Sequence, residues 1–189
     1  MSELPRLAVR FIPHDVVFTK DREFPFQDCA LQYREDRNNF RRFLCSSPPF
    51  LERAVVSGGV AGTYWTDAER HGYQLHDCFI GIPTTEEECD HVVMALNACC
   101  EAKKGARRRT LSDMFASWGD PTKEPDLITA RGYHAAQLVV LALRQCLPPE
   151  HPAVKSLEPV HARGASVEDV FRALRAVSVR RGDCLVVKR

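Results

Sequence analysis

The sequence predicts an α+β fold, with helices packed on a mixed or antiparallel sheet in a layered sandwich. Residues 7–12 and 15–19 alternate in the manner of strands, whereas helical patterns dominate the chain after residue 84. A strand-like run then returns at residues 184–188. Because the second half offers a single clear strand, a strictly parallel βαβ order is disfavoured.

The composition of the 189 residues is that of a folded protein: 44% are apolar, 27% are charged and the net charge is +1. These values disfavour general disorder. No run approaches the roughly 20 apolar residues of a membrane-spanning helix, so no membrane span is expected. We divide the chain into an N-terminal α/β half (1–102), a basic segment with a short amphipathic helix and a linker (103–126), and a C-terminal helical half with a final strand (127–189), which together can form one compact domain.

The start of the chain lacks the apolar core of a signal peptide, since Met1–Arg6 contains charges and a proline. We therefore expect an intracellular protein, cytoplasmic or nuclear rather than secreted. In such a reducing compartment the eight cysteines are expected to be free thiols.

The first half carries the more ambiguous secondary-structure patterns. Residues 29–33 fit either a strand or a helix. The apolar spacing of residues 36–44 predicts a helix, and a second short helix is predicted over residues 50–55. The glycines of residues 57–62 predict a loop, because glycine gives the backbone the freedom that a tight turn needs.

The clearest unit is a strand over residues 73–82 followed by a helix that ends near Gly105. Thr84 and Glu87 have the spacing of a capping box at its start. The helix presents one apolar stripe, formed by Cys89, Val92, Val93, Leu96, Cys99 and Cys100. We therefore expect the stripe to be buried and His91, on the opposite face, to be exposed.

Three elements are predicted in the second half. Residues 133–147 are apolar almost all round, which is typical of a buried helix. Ser166 has the position of a cap for a final helix, and residues 184–188 form the closing strand. The glycine within residues 181–183 indicates a turn before that strand.

A basic run lies between the two halves, with five positive charges in seven positions: Lys103, Lys104, Arg107, Arg108 and Arg109. Such a run attracts phosphate backbones, an acidic partner or the nuclear-import machinery; alternatively it is a solvated loop. The cations near the chain end extend this run if the C-terminus lies nearby: Arg180, Arg181, Lys188 and Arg189.

The basic run is followed by a short amphipathic segment whose apolar face consists of Leu111, Met114, Phe115 and Trp118. A helix of about nine residues is marginal alone, because nucleation is costly and few hydrogen bonds follow. It must therefore dock, either on the core of this protein or on a partner. Both possibilities remain open.

A cysteine with a possible base is the first catalytic candidate. The stretch Asp28-Cys29-Ala30-Leu31-Gln32-Tyr33 resembles the Asp-Cys-Ser-Gly-Leu-x-x-Tyr stretch of NlpC/P60-type cysteine peptidases. The resemblance implies that Cys29 begins a helix and acts as nucleophile, with His76 on a later strand as its base. The alternative is that both are ordinary residues of the fold.

A metal site is the second candidate, because five potential zinc ligands lie within 21 residues: His71, His76, Cys78, Cys89 and His91. Cys89 and His91 are two positions apart on one helix, about 200° around its axis, so they cannot face the same ion. His76 and Cys78 share a strand face but form only a pair. Cysteines that pack in the core are the alternative.

The leading functional hypothesis is a non-enzymatic interaction protein, a subunit or adaptor of a larger assembly that docks through residues 103–118. The sequence lacks a complete catalytic set and a cofactor fingerprint, so no cofactor is expected. The first alternative is an RNA- or phosphate-binding α+β domain that uses the basic run. The second is a thiol hydrolase with Cys29 and His76.

Overall fold

A computed structural model describes the parts of the chain that carry the sheet and most of its helices: residues 5–13, 24–34, 40–45, 60–65, 78–102, 127, 135–182 and 184–189. The strands are β1 (Leu7–Pro13), β2 (Phe26–Arg34), β3 (Phe40–Cys45), β4 (Val60–Trp65), β5 (Cys78–Ile82), β6 (Ser178–Arg181) and β7 (Cys184–Val187). The helices are α1 (Glu86–Ala102), α2 (Ala135–Cys146), α3 (Pro152–Leu157) and α4 (Val167–Ala176), with a 3-10 turn at Ala162–Gly164.

The strands form one mixed sheet in the order β4-β3-β2-β1-β5-β7-β6. Every neighbouring pair is antiparallel except β5 and β7, which run parallel. This confirms the predicted α+β class with helices on a mixed sheet. The sequence of the second half indicated a single strand, but this half supplies two strands to the sheet, β6 and β7.

The hydrophobic core lies on one face of the sheet. Leu7, Val9 and Phe11 alternate along β1 and are fully buried. Val9 pairs with Leu31 on β2 and with Ile80 on β5, so the apolar row continues across three strands. Side chains from all four helices join the same cluster, in which residues of both sequence halves pack together. The predicted segment boundaries at 103 and 126 lie outside the described residues.

The helix α2 is the centre of the helical layer. Ten of its twelve residues are buried, as its nearly continuous apolar sequence predicted. It contacts β2 on one side and the helices α1, α3 and α4 on the others. A helix surrounded in this way has no polar face, because water reaches almost none of its circumference.

The helix α1 has the predicted apolar stripe but a different cap. Cys89, Val92, Leu96 and Cys99 are buried and His91 is exposed, as expected. The capping box is formed by Thr85 and Glu88, one residue later than the predicted pair. The Glu88 N–H donates to Thr85 Oγ1 at 3.1 Å and the Thr85 N–H donates to Glu88 Oε2 at 2.7 Å. Because the first helical residue is Glu86, only Thr85 stands at the capping position.

The predicted helix over residues 36–44 is wrong where the structure describes it. Residues 40–45 form β3, which pairs with β2 on one side and with β4 on the other. Pairing on both edges satisfies the backbone and overrides a local pattern that also fits a helix. For the same reason the predicted loop over 57–62 is wrong from Val60 onward, since Gly62 pairs with Phe43 within the sheet.

Several other predictions are settled by the described elements. Residues 29–33 belong to a strand, and residues 78–82 of the predicted strand over 73–82 are confirmed. Ser166 caps α4, where its hydroxyl and the carboxylate of Asp169 form a capping box. The predicted strand over 15–19 and helix over 50–55 lie outside the described residues. Within the described part of the chain, no helix is long and apolar enough to cross a membrane.

Candidate functional site

The C-terminal hairpin β6–β7 forms one end of the sheet and is held by the end of α4. The Ser178 hydroxyl donates to the carbonyl oxygen of Leu174 at 2.7 Å. The Lys188 N–H donates to the carbonyl oxygen of Val177 at 2.9 Å. Gly182 turns the chain between the strands at a φ of 61°, a conformation that glycine adopts without the strain of a side chain. The turn predicted at 181–183 therefore joins two strands.

One edge of β6 is unpaired within the described residues, since β6 is the last strand of the sheet. Hydrogen-bonded and non-hydrogen-bonded pairs alternate along an antiparallel ladder. Because Val177 bonds to Lys188, the hydrogen-bonded pairs that follow are Val179 with Val186 and Arg181 with Cys184. The backbone N–H and C=O groups of the intervening residues, Ser178 and Arg180, therefore point away from β7.

Exposed cations surround this edge, and we call this set the basic edge: Arg175, Arg180, Arg181 and Lys188. Residues 172–189 contain six lysine or arginine residues and one aspartate, a net charge of +5, whereas the whole chain carries +1. Two more cations of this region are engaged in ion pairs, Arg172 with Glu168 and Arg189 with Glu88. Residues 172–189 are therefore strongly basic.

Arg175 lies on α4, the helix that contacts both strands of the hairpin. Burial raises the pKa of Cys78, while the positive charge of Arg175 lowers it and the Cys184 thiol raises it further. Arg175 lies in the last turn of α4. Its guanidinium also stacks over Phe171, 5.7 Å from the ring centroid, which anchors its stem on α4.

Arg189 lies at the N-terminal end of α1. Arg189 binds Glu88 in the first turn of α1 at 3.1 Å, whereas the run follows Ala102 at the other end of that helix. At 1.5 Å per residue these two points are about 21 Å apart. The expected extension of the run by the C-terminal cations stays a prediction. The five cations of the run lie outside the described residues.

A groove of about 630 Å³ lies beside α4, lined by residues such as Val160, His161, Ala173 and Val177. The guanidinium of Arg144 supports its wall, since Nη2 donates to the carbonyl oxygens of Leu157, of Glu158 at 3.0 Å and of Val160 at 2.6 Å. The groove is open to solvent. Its one described carboxylate, Asp169, is engaged by the hydroxyl and N–H of Ser166, which lower the pKa of that carboxyl.

Cys29 does not begin a helix, contrary to what the peptidase resemblance implies. It lies within β2, with no exposed surface, and its N–H is bonded to Asp28 Oδ1 at 2.8 Å. A nucleophile at that position has no path to a substrate, and the positive end of a helix is not there to favour a thiolate. His76 lies outside the described residues, so the proposed pair remains untested.

The metal candidates are not brought together among the described residues, where no group of three histidine, cysteine or acidic side chains forms a ligand set. Cys78 is partly buried on β5, and Cys89 and His91 lie on opposite sides of α1. His71 and His76 lie outside the described residues. The same is true of the amphipathic face: Leu111, Met114, Phe115 and Trp118.

The open edge of β6 was not found from the sequence. The signal was present, because Ser178-Val-Arg-Arg181 precedes a two-residue Gly-Asp turn and an apolar strand, an arrangement typical of a hairpin. The glycine predicts the turn, but no local alternation pattern marks the short strand before it. With four residues, β6 is too short for its alternation to stand out.

Three kinds of known protein data were compared with the chain. No family model, no curated protein and no solved structure matches the chain. The fold and its site define the chain as an α+β protein with helices on a mixed seven-stranded sheet and a basic edge. Its functional assignment therefore depends on the residues described above.

Proposed function

We propose that this chain is a non-enzymatic interaction protein, a subunit or adaptor of a larger assembly, that recognises an acidic surface of a protein partner. The observation that carries the proposal is the accumulation of +5 within residues 172–189 of a chain whose total is +1. Four of these cations are exposed at one end of the sheet.

The physical role of the basic edge is recognition, not stability of the fold. Exposed ion pairs contribute little to folding, typically about 0–1 kcal/mol. A cluster of like charges instead steers an oppositely charged partner and raises the association rate. At 0.1 M salt the screening length is about 10 Å. The hairpin spans about 13 Å at 3.3 Å per residue, so neighbouring cations of the edge act together on a partner.

The proposal retains residues 103–118 as a second docking segment. Its aromatic residues, Phe115 and Trp118, belong to the types that most often anchor protein interfaces, and its basic run would add to the steering. The variants Phe115→Ala and Trp118→Ala test this separately. Loss of partner capture with an unchanged melting temperature supports docking on a partner, whereas a large fall in melting temperature assigns these residues to the core.

The test of the basic edge is quantitative affinity purification from the native source with matched variants. The double variant Arg180→Gln/Arg181→Gln removes two charges from the edge. The control Lys155→Gln/Arg163→Gln removes two charges that lie outside residues 172–189. We expect the edge variant to lose a specific protein, which the control retains, and raised salt to weaken capture by the wild type. Equal capture by both variants would refute the proposal.

RNA or phosphate binding is the second candidate, favoured by the two adjacent exposed arginines, Arg180 and Arg181. Arginine binds phosphate through its planar guanidinium. Fluorescence anisotropy with a single-stranded RNA, at 50 and 200 mM salt, distinguishes this from protein binding. Tight RNA binding with a steep salt dependence, together with loss of the captured protein after nuclease treatment, would favour the RNA hypothesis.

A further inference from the structure

We propose that the open edge of β6 binds an extended segment of the partner, in which acidic and apolar residues alternate, as an additional strand of the sheet. This inference rests on the proposed function and names the mode of recognition at the basic edge. Strand addition is a common way for a sheet to bind a peptide, since main-chain hydrogen bonds supply affinity and side chains supply specificity.

The backbone supplies the first part of the site. The N–H and C=O groups of Ser178 and Arg180 point away from β7, as the pairing of β6 with β7 requires. Both residues lie in regular strand conformation next to a paired neighbour. An added strand therefore finds two donors and two acceptors already aligned.

The side chains indicate which residues the added strand carries. Arg180 lies opposite Leu185 and so belongs to the face on which the helices pack, whereas Val179 lies opposite Val186 on the other face. Side chains directly opposite one another in adjacent strands are about 4.5–5.5 Å apart. An acidic residue beside Arg180 and an apolar residue beside Val179 thus both meet a complementary neighbour.

The charge of the edge decides against a second copy of this chain as the occupant. Pairing two β6 strands would bring the cations of two basic edges close together. Like charges placed opposite each other destabilise a strand pair. Positively charged edge residues are a common means by which proteins prevent their own sheets from joining.

The test measures binding of a fluorescein-labelled eight-residue peptide of alternating glutamate and valine. Its control is the same peptide with methylated backbone nitrogens at alternate positions, which has the same charge but cannot add as a strand. We expect the unmodified peptide to bind the wild type about tenfold more tightly, the equivalent of one or two net hydrogen bonds. Equal binding of the two peptides would overturn strand addition.

Matched variants of the protein separate backbone from charge. Arg180→Gln removes the charge alone, whereas Arg180→Pro also removes the outward N–H. Proline is tolerated there because that N–H takes no part in pairing with β7, whereas Val179→Pro would break the ladder and serves as the unfolding control. We expect Arg180→Pro to bind the unmodified peptide about tenfold more weakly than Arg180→Gln. If Arg180→Pro melts at a lower temperature than Arg180→Gln, the proline has disturbed the fold. Strand addition is then tested only by the binding of the two peptides to the wild-type protein.

The remaining outcomes distinguish the possible errors. If Arg180→Gln/Arg181→Gln loses the partner but Arg180→Pro binds the peptide as well as Arg180→Gln does, strand addition is wrong and the acidic partner stands. If neither variant affects partner capture, both proposals fail. If the protein forms a concentration-dependent dimer that Arg180→Pro abolishes, the occupant is a second copy of the chain. If single-stranded RNA competes for the edge and the two peptides bind equally well, the edge is a phosphate site.

Discussion

Replacing Leu96 by alanine tests whether the apolar stripe of α1 carries a substantial part of the stability. Leu96 has no exposed surface, and its stripe neighbours Val92 and Cys99 have none either. Truncation removes three carbon atoms and leaves a cavity between α1 and its packing partners, including α2. Such substitutions cost about 2–5 kcal/mol. For a chain of 189 residues, each kcal/mol lowers the melting temperature by about 2–4 °C.

The measurement is thermal unfolding by circular dichroism, with urea unfolding as a second probe. With a cost near the middle of the range, about 3 kcal/mol, we expect Leu96→Ala to melt roughly 6–12 °C lower. The matched control is His91→Ala, on the exposed side of the same helix, which should change stability by less than about 0.5 kcal/mol. The assigned helix phase is refuted if His91→Ala melts far below the wild type. It is also refuted if Leu96→Ala melts at the same temperature as the wild type.

Three further predictions follow from single contacts. Arg144→Met leaves the carbonyl oxygens beside the α4 groove without their shared donor and should cost about 1–3 kcal/mol in urea unfolding; an unchanged midpoint would contradict this. Hydrogen bonds from Ser166 lower the pKa of Asp169, so its stabilising contribution is complete above the ordinary carboxyl pKa and is lost as pH falls through the lower, folded value. Asp169→Asn should therefore flatten the loss of stability below about pH 4, and a profile identical to that of the wild type would argue against the cap. Burial raises the pKa of Cys146 to about 11, so iodoacetamide at pH 7.5 should label the partly exposed Cys78 before Cys146, as mass spectrometry would show, and preferential labelling of Cys146 would refute the assigned burial.

Free thiols were expected throughout, and the six described cysteines confirm this for their positions: Cys29, Cys78, Cys89, Cys99, Cys146 and Cys184. Four of the six are buried. Those four side chains help to fill the core, as cysteine outside disulfide bonds commonly does. The other two thiols belong to residues whose side chains are not described.

The sequence by itself determined the elements whose signals are local. The stripe of α1, the apolar circumference of α2 and the cap at Ser166 all follow from spacing within one segment, and the structure has each of them. Local patterns suffice there because a helix forms its hydrogen bonds within itself and only its buried face depends on neighbours.

The tertiary structure alone decided the strands β2, β3 and β4 of the first half and the site. Residues 40–45 have a spacing that fits a helix, yet β2 and β4 on either side make them a strand. Likewise, Arg180 and Arg181 are visible in the sequence as cations, but only the strand order places them on the last strand of the sheet. The physical reason is that a strand obtains its hydrogen bonds from other segments, so both its existence and its exposed edge depend on partners distant in the chain.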